Sequence, residues 1–510
     1  MTTTYDAPPL NPGEPATGTT APRDPVRKSG LFRAFWRWHF YASVLVIPVF
    51  ALLSVTGLIM LFKWQIDPIQ EPAMTYSAPA YGATASLDAQ QDAVLDANEG
   101  AAVTAVQTTA GDRSTIFTID RADGTTVNVY VDPYTAKVLG VRDPTTLISD
   151  MATVAHGNII FGPKSEVTLF TDPITGEDFT VGSIGDRIIE TAACWSLIMA
   201  LTGYYLFFRG RAARAARRAK AAAGAVTRSR HAMVGAIAGV GILFIVASGL
   251  PWTGLWGSTV QKLATGTQLA LWGDDPGATS QLAETIDEAG STSAPPPWAE
   301  GAAPLPTSDG HSGHSHGGGE AEGTPAIGLD AVVKAATDDG VPLPVYITMP
   351  DGPEGVFSVM SDMWHDKDSA AYDDVSKERV VHVDQYSGAI AGRYSYAEYP
   401  AAAKLVSQGI ALHEGQRLGT LNFWASAAFC AGLLFLCVTG PIMWWRRRKS
   451  GISAPRGSMP VKARPWIAVV MVIFGVLFPL FGVTLIIVLL VDRVVIRRSD
   501  RLRSTFGTTA

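Results

Sequence analysis

Cysteine is scarce in this 510-residue chain: Cys194, Cys430 and Cys437 are its only three, and all lie inside apolar blocks. That excludes a disulfide framework and a thiolate metal cage. No Cys-x-x-Cys-His occurs, so covalent c-type haem is excluded as well. Charge is scarce too, at 17% of residues against about 25% in an ordinary soluble protein. The formal net charge of −6 provides no basic field for nucleic acid. Walker A, a Gly-x-Gly-x-x-Gly opening a helix after a strand, and His-Glu-x-x-His are all missing, and His413-Glu414-Gly-Gln-Arg417 lacks the second histidine of a zinc protease. No nucleotide, nicotinamide or hydrolytic zinc site is legible.

What the chain has instead is apolar sequence, 47% of residues, gathered into blocks at about 40–62, 188–208, 231–250, 421–445 and 466–492. Each is long enough to cross ~30 Å of hydrocarbon, which rules out a soluble enzyme. Between Arg209 and Arg230 there are eight Lys or Arg and no acid, and between Arg446 and Arg464 seven and none. Ser77 to Thr180 carries fourteen acids against five bases, and Trp252 to Ile410 twenty-two against seven. The positive-inside rule then puts the basic loops and the N-terminus in the cytoplasm and both long acidic loops outside. The fifth block conflicts with this pattern, because a fifth span would place the Arg-rich tail after Asp492 outside. Pro479 and Gly482 at its middle offer a re-entrant hairpin instead, and the sequence leaves the two equally open.

The organisation reads as a disordered cytoplasmic tail over 1–30, a first membrane helix over 31–64, and an extracytoplasmic domain over 77–182. The second and third helices follow over 183–250, a second extracytoplasmic loop over 251–410, membrane segments over 411–492 and a tail over 493–510. An internal repeat underlies it. His39 precedes Thr56-Gly57 by 17 residues, and His231 precedes Ser248-Gly249 by the same 17. The second and fourth blocks carry the pair as Thr202-Gly203 and Thr439-Gly440, and Val129 to Gly140 aligns with Val381 to Gly392 at an offset of 252. Alternation over Ile116–Asp120 and Val127–Val131 around Asp123-Gly124 predicts a β-hairpin, preceded by a helix over Ser86–Ala97. The second copy predicts a helix over Leu329–Ala336 and strands over Val356–Met360 and Arg379–Val383. The expected fold is an α-helical membrane protein, four spans plus a fifth membrane segment, with one small α+β domain in each outer loop.

Four of the nine histidines flank membrane blocks: His39 and His231 at the inner starts of the first and third, His156 and His413 outside ahead of the second and fourth. A single such histidine is most simply interfacial, with its polar edge in water. The paired pattern points elsewhere, since each repeat supplies one inner and one outer imidazole, and axial bis-His ligation of haem iron needs two neutral imidazoles from facing elements. Two b-type haems, one near each membrane face, is the economical expectation. Gly235, Gly239 and Gly241 would admit a flat macrocycle or close helix packing, with packing at least as good. Arg37 and Arg230 could pair haem propionates or serve only as positive-inside anchors. The Thr-Gly pairs read as bends or interhelical bonds. Trp36, Trp38, Trp252, Trp256, Trp444 and Trp445 read as an interfacial aromatic belt. His311, His314 and His316 sit in a Gly/Ser/His tract that either wraps a metal loosely or is solvated linker.

Taken together, Phe35-Trp-Arg-Trp-His39 leading to Val55-Thr-Gly57, the strand ends Val131-Asp132 and Val383-Asp384, His156-Gly157 and Leu412-His413 resemble the PepSY-associated transmembrane family. Within it they resemble the bacterial inner-membrane iron-uptake reductases that act on ferric siderophores, over most of residues 31–492. The resemblance implies PepSY-like outer domains, haem held by these histidines, and electrons passed from an unknown cytoplasmic or membrane donor to an extracytoplasmic ferric chelate. Fe(II) binds hydroxamate and catecholate oxygen less tightly than Fe(III), so reduction releases the metal. Two rivals stand beside it: a regulatory protein whose PepSY-like domains bind a peptide or protease, and a metal-handling transporter using the His-rich tract.

Overall fold

A computed structural model describes residues 30–77, 82–159, 166–171, 178–257, 326–352, 355–361, 366–448, 455 and 459–506. The tail over 1–29 and the tract holding His311, His314 and His316 lie outside the described residues.

In chain order the helices are α1 (Gly30–Leu61), α2 (Lys63–Gln70), α3 (Pro72–Thr75) and α4 (Leu87–Ala97), followed by β1 (Ala102–Gln107), β2 (Thr115–Asp120), β3 (Thr126–Val131) and β4 (Val138–Arg142). Next come α5 (Ile148–Asn158), the short pair β5 (Glu166–Thr171) and β6 (Asp178–Ser183), then α6 (Ile184–Arg209), α7 (Arg211–Ala219) and α8 (Ala225–Gly249). The second half holds α9 (Leu329–Asp338), β7 (Tyr346–Thr348), β8 (Val356–Ser361), α10 (Ala370–Asp373), β9 (Arg379–Asp384), β10 (Ile390–Ser395), α11 (Ala401–His413) and α12 (Gly419–Arg447). The chain ends with α13 (Arg464–Leu477), α14 (Pro479–Val491) and α15 (Asp500–Phe506).

Helices α1, α6, α8 and α12 are each long and apolar enough to span a bilayer, with best-window mean hydropathy from 1.4 to 2.7. They form a ring in which α1 packs on α6 and α12, and α8 packs on the same two from the opposite side. Helices α1 and α8, the corresponding members of the two repeats, therefore face one another diagonally. One end of the ring carries the arginines of α7 and of the α12 terminus and is called the basic end below. The other end carries the β-structure.

The fifth block is two helices, not one. Pro479 has no N–H to continue α13, and the chain breaks at Phe478. The Leu477 carbonyl left over by that break accepts from Trp256 Nε1–H at 3.0 Å, and Trp195 Nε1–H donates to Thr484 Oγ1 at 2.9 Å. Phe478 and Phe481 are buried beside these tryptophans. A turn at membrane depth is stable only when protein satisfies its backbone; Trp256 does that for the Leu477 carbonyl, while Trp195 ties the second helix through the Thr484 side chain. Gly475 and Gly482 let the two helices approach, since a Cβ on Gly482 would lie 2.7 Å from the Gly475 carbonyl oxygen. Tyr41, near the basic start of α1, donates to the Phe506 carbonyl at 2.7 Å. The hairpin thus returns the C-terminal helix to the basic end, and its second arm, Pro479–Ile496, is the fifth helix of the described residues long and apolar enough to cross a membrane.

The α+β regions differ from expectation in one respect. They are not two separate domains but halves of a single antiparallel sheet ordered β10-β9-β8-β7-β1-β2-β3-β4. The join is β1 with β7, where Ala105 faces Thr348 and Val106 faces Ile347. Helices α4 and α9 cover one face, so that Val94, Leu329 and Val332 close over Phe117, Val129, Ile347, Phe357 and Val381. The helices cap one another reciprocally: Leu329 N–H donates to Asp88, and Leu87 N–H donates to Asp330 at 3.0 Å. Burial, then the neighbouring Asp330 carboxyl, raises the pKa of Asp88. The second copy also has four strands, two more than its alternation announces; three-residue β7 is too short to show a period. The Val-Asp strand ends make turns, with Asp132 Oδ1 accepting from Tyr134 N–H at 2.8 Å and Asp384 Oδ1 from Ser387 N–H at 2.7 Å.

Candidate functional site: four histidines on hydroxyl–glycine seats

Each of the four flanking histidines lies against a Thr-Gly or Ser-Gly pair of another helix. At the basic end His231 Nδ1 is 2.8 Å from Thr439 Oγ1, and His39 Nδ1 is 2.9 Å from the Met199 carbonyl and 3.4 Å from Thr202 Oγ1. At the sheet end His156 Nδ1 is 2.8 Å from Thr56 Oγ1 and His413 Nδ1 is 3.1 Å from Ser248 Oγ. Helix α5 carries His156 onto α1, and α11 carries His413 onto α8.

These bonds determine the tautomer. A hydroxyl has one proton, and here it is spent on the carbonyl four residues back: Thr56 on Leu52, Thr202 on Ile198, Ser248 on Phe244 and Thr439 on Phe435. Each oxygen can then only accept, so each imidazole donates from Nδ1–H. For His39 the Met199 carbonyl requires the same. Nε2 keeps its lone pair in all four, and it has no hydrogen-bond partner among the described residues. That is the form in which imidazole ligates a metal, with the distal nitrogen oriented by a fixed acceptor.

The glycine of each pair makes room for the ring. A Cβ on Gly203 would stand 3.2 Å from His39 Cε1, on Gly57 3.3 Å from His156 Cε1, and on Gly249 3.3 Å from His413 Cε1. Gly440 is looser, at 3.9 Å from His231 Cε1. The Thr-Gly pairs are therefore seats for histidine, a role their own helices do not reveal. One signal in the sequence bears on it: four pairs, one per span, equal in number to the flanking histidines.

The two members of each pair lie close enough for their charges to interact, His39 with His231 and His156 with His413. The surrounding protein pushes the pKa of His156 and of His413, both outside the spanning helices, down to about 4 by desolvation. Both are neutral at pH 7. Among the described residues no group of three or more His, Cys, Asp or Glu could hold a metal ion, so a bare polydentate cation site is not on offer. Two imidazoles at each end suit a group that brings its own equatorial ligands.

Other residues singled out by sequence fall elsewhere. Gly239 lies against Tyr204, whose hydroxyl donates to the Ala236 carbonyl at 2.8 Å, and Gly241 lies against Phe429. That face of α8 is filled by helix packing and is not open to a macrocycle. Arg37 stacks over Tyr41 at 5.5 Å, and Arg230 is exposed. Trp36 lies under Arg447 at 4.7 Å and Trp256 holds the hairpin, so neither is simply a belt residue. A fifth histidine, His382 on β9, is fully buried and takes no part. Its Nδ1 meets Ser358 Oγ at 2.9 Å, and burial lowers its pKa to about 4.

No curated protein matches the chain. A profile described as the PepSY-associated TM region matches residues 36–447, which takes in the ring, all four histidines and the whole eight-stranded sheet, and the chain belongs to that family.

Proposed function

We propose that this protein is a di-haem transmembrane electron carrier that reduces an extracytoplasmic ferric chelate, of siderophore type, during iron uptake. One observation carries the reading: all four histidines present Nε2 with a free lone pair, two at each end of one bundle. The basic end is cytoplasmic, as its arginines favour, and the acidic sheet end faces outward across ~30 Å of hydrocarbon.

The residues fit b-type haem. His39 and His231 project from the diagonal helices α1 and α8 and would hold the inner group; His156 and His413 would hold the outer one. A haem with two imidazoles supplies a one-electron Fe(III)/Fe(II) couple with no open coordination position. This chain's part is to orient the rings through Thr202 and Met199, Thr439, Thr56 and Ser248, and to exclude water with the apolar ring wall. The hydroxyl acceptors raise imidazole basicity modestly, less than a carboxylate would. The ferric ion is substrate and approaches from the sheet end.

The test is an absorbance spectrum of purified protein prepared with haem supplied, oxidised and then reduced. A Soret band with the sharp visible bands of low-spin bis-imidazole haem, at about two haems per chain, is expected. A colourless protein overturns the reading and leaves the peptide-binding regulator standing.

A further inference from the structure

We propose that Asp67, set in a polar pocket where α2 packs on α5, takes up the proton that accompanies reduction of a haem held by His156 and His413. This rests on the di-haem reading and assigns the charge balance of its sheet-end site.

Helix α2 continues from α1 beyond the Thr56 seat, and α5 packs on both on its way to His156. The contact is fixed at its far end by Gln70, whose Oε1 accepts from Ile148 N–H at 3.2 Å. That bond settles the amide orientation and makes Nε2 the donor left over. Asp67 is one turn back on the same face of α2, and Ser149, the residue after Ile148, is only 4% exposed. Asp67 Oδ1, Gln70 Nε2 and Ser149 Oγ are all buried, and none has a hydrogen-bond partner among the described residues. The Ser149 hydroxyl stands close enough to favour a charge on the Asp67 carboxyl without being in hydrogen-bond geometry with it. A hydroxyl can donate to a carboxylate and accept from a carboxyl, so the pocket holds a partner for Asp67 in either protonation state.

Three carboxylates meet here, and two are matched by a cation. Asp150 Oδ2 accepts from Arg142 Nη1–H at 2.6 Å and from Leu147 N–H at 3.2 Å, and Glu71 lies 3.5 Å from Arg142 Nε. Arg142 also reaches the Tyr130 hydroxyl, 3.1 Å from Nε. Asp67 enters no ion pair among the described residues. Lys63, one turn back on α2, lies over the Trp64 ring at 4.6 Å, and Tyr372 of α10 meets the same ring. Burial raises the proton affinity of Asp67 and the Asp150 charge adds to this; the Ser149 hydroxyl, Lys63 and Arg142 oppose it, and the balance is upward. The other outer helix has no such site, since aligning His156 with His413 puts Val406 at Ser149 and Ser407 at Asp150.

Ser149 precedes His156 by seven residues, two turns and about 10 Å of α5. An electron arriving beside His156 adds one negative charge. Over that distance a carboxylate opposes it about two- to fifteenfold in the equilibrium constant, for effective dielectric constants from ~80 to ~20. A proton moving from outer water onto Asp67 as the electron arrives cancels that opposition, and it returns to water when the electron passes to the ferric chelate.

The experiment follows the midpoint of each haem against pH in the full-length, haem-loaded chain, over the acid-to-neutral range in which haem stays bound. In wild type one midpoint should fall as pH rises, by about two- to fifteenfold in the reduction constant, and Asp67→Asn should remove that fall while keeping both haems. Glu71→Gln should retain it. In a His156→Ala background Asp67→Asn should change nothing, which places the effect at the sheet end. Reduced-minus-oxidised infrared spectra of wild type should show a protonated carboxyl gained on reduction, a readout that needs no variant to fold. A fall that survives Asp67→Asn, or a wild type with neither a pH-dependent midpoint nor a new carboxyl band, overturns the proton role while two haems still bind. A wild-type protein without haem overturns the di-haem reading itself.

Discussion

The two histidine pairs use one device on two kinds of support. His39 and His231 belong to spanning helices, so their positions follow from bundle packing alone. His156 and His413 stand near the ends of α5 and α11, helices that follow directly from the sheet and only lean on the bundle. The pair at the basic end is thus part of the helix bundle, whereas the pair at the sheet end joins the bundle to the sheet. An identical seat can be built where both partners are rigidly packed or where one of them is delivered by a separate domain, and only the second arrangement lets the outer region act on the site.

The comparison is broken most completely by removing a ligand. His39→Ala or His231→Ala should abolish one haem and keep the outer one, reducible only by a small chemical reductant that reaches it directly. His156→Ala or His413→Ala should keep the inner haem reducible by a donor on the basic side while ferric-chelate reduction disappears. Haem content by pyridine haemochrome and reduction of a ferric hydroxamate by vesicle-embedded protein check both; wild-type chelate reduction in the two outer variants would sink the two-station path.

Next in size is the seat itself. Thr439→Val or Thr56→Val removes the Nδ1 acceptor and should weaken haem retention roughly 10- to 100-fold at the affected end, as loss of a ligand's outer partner does. The paired Ser variants should restore it, and a competition titration reads the difference.

Acid sharpens the contrast. His382 has a folded pKa of about 4, below its unfolded 6.5, so its contribution is full above pH 6.5 and is lost as pH falls from 6.5 toward 4, about 3 kcal/mol in all. The sheet should therefore loosen before the bundle, and the outer haem should become labile at a pH where the inner one is still held. His382→Phe should flatten that pH dependence in a thermal-melt series; equal acid lability of both haems would show that the sheet does not govern the outer pair.

The smallest effect separates the glycines. Gly203→Ala should disturb the ring at its seat, because the added methyl would stand 3.2 Å from His39, whereas Gly440→Ala should be near neutral at 3.9 Å. Electron paramagnetic resonance of the oxidised haems resolves the two.

Much of this architecture was legible from residues. The four spans follow from apolar runs, the first hairpin from Asp123-Gly124 and its alternation, and helix α4 from the helical run over Ser86–Ala97; the structure adds the Ser86 cap, whose hydroxyl accepts from Ala89 N–H at 3.1 Å. The histidines were found by their repeat spacing. What escaped was long-range in every case. Nothing local in β7 says that it pairs with β1, and nothing in Thr202 says that a histidine 163 residues away lies against it. Trp256 reads as an interfacial anchor until Pro479, far along the chain, frees the carbonyl that it binds. Arg37 stood out only because it is near in sequence to His39, while its guanidinium lies over Tyr41.

The seam between β1 and β7 has a consequence for how the chain is put together. Residues 242 apart are equivalent there: exchanging Ala105 for Ile347 and Thr348 for Val106 turns one seam pair into the other, and the same exchange relates the reciprocal caps of Leu87 and Leu329. Such a contact is isologous, the kind that two identical subunits make across a dyad. The protein is in this sense a twofold dimer whose protomers share one polypeptide. Cut in the stretch between α6 and α8 and expressed as two pieces, the halves hold complementary strand edges, and neither half alone owns a complete pair of histidines at either end, since His39 and His156 go with one piece and His231 and His413 with the other.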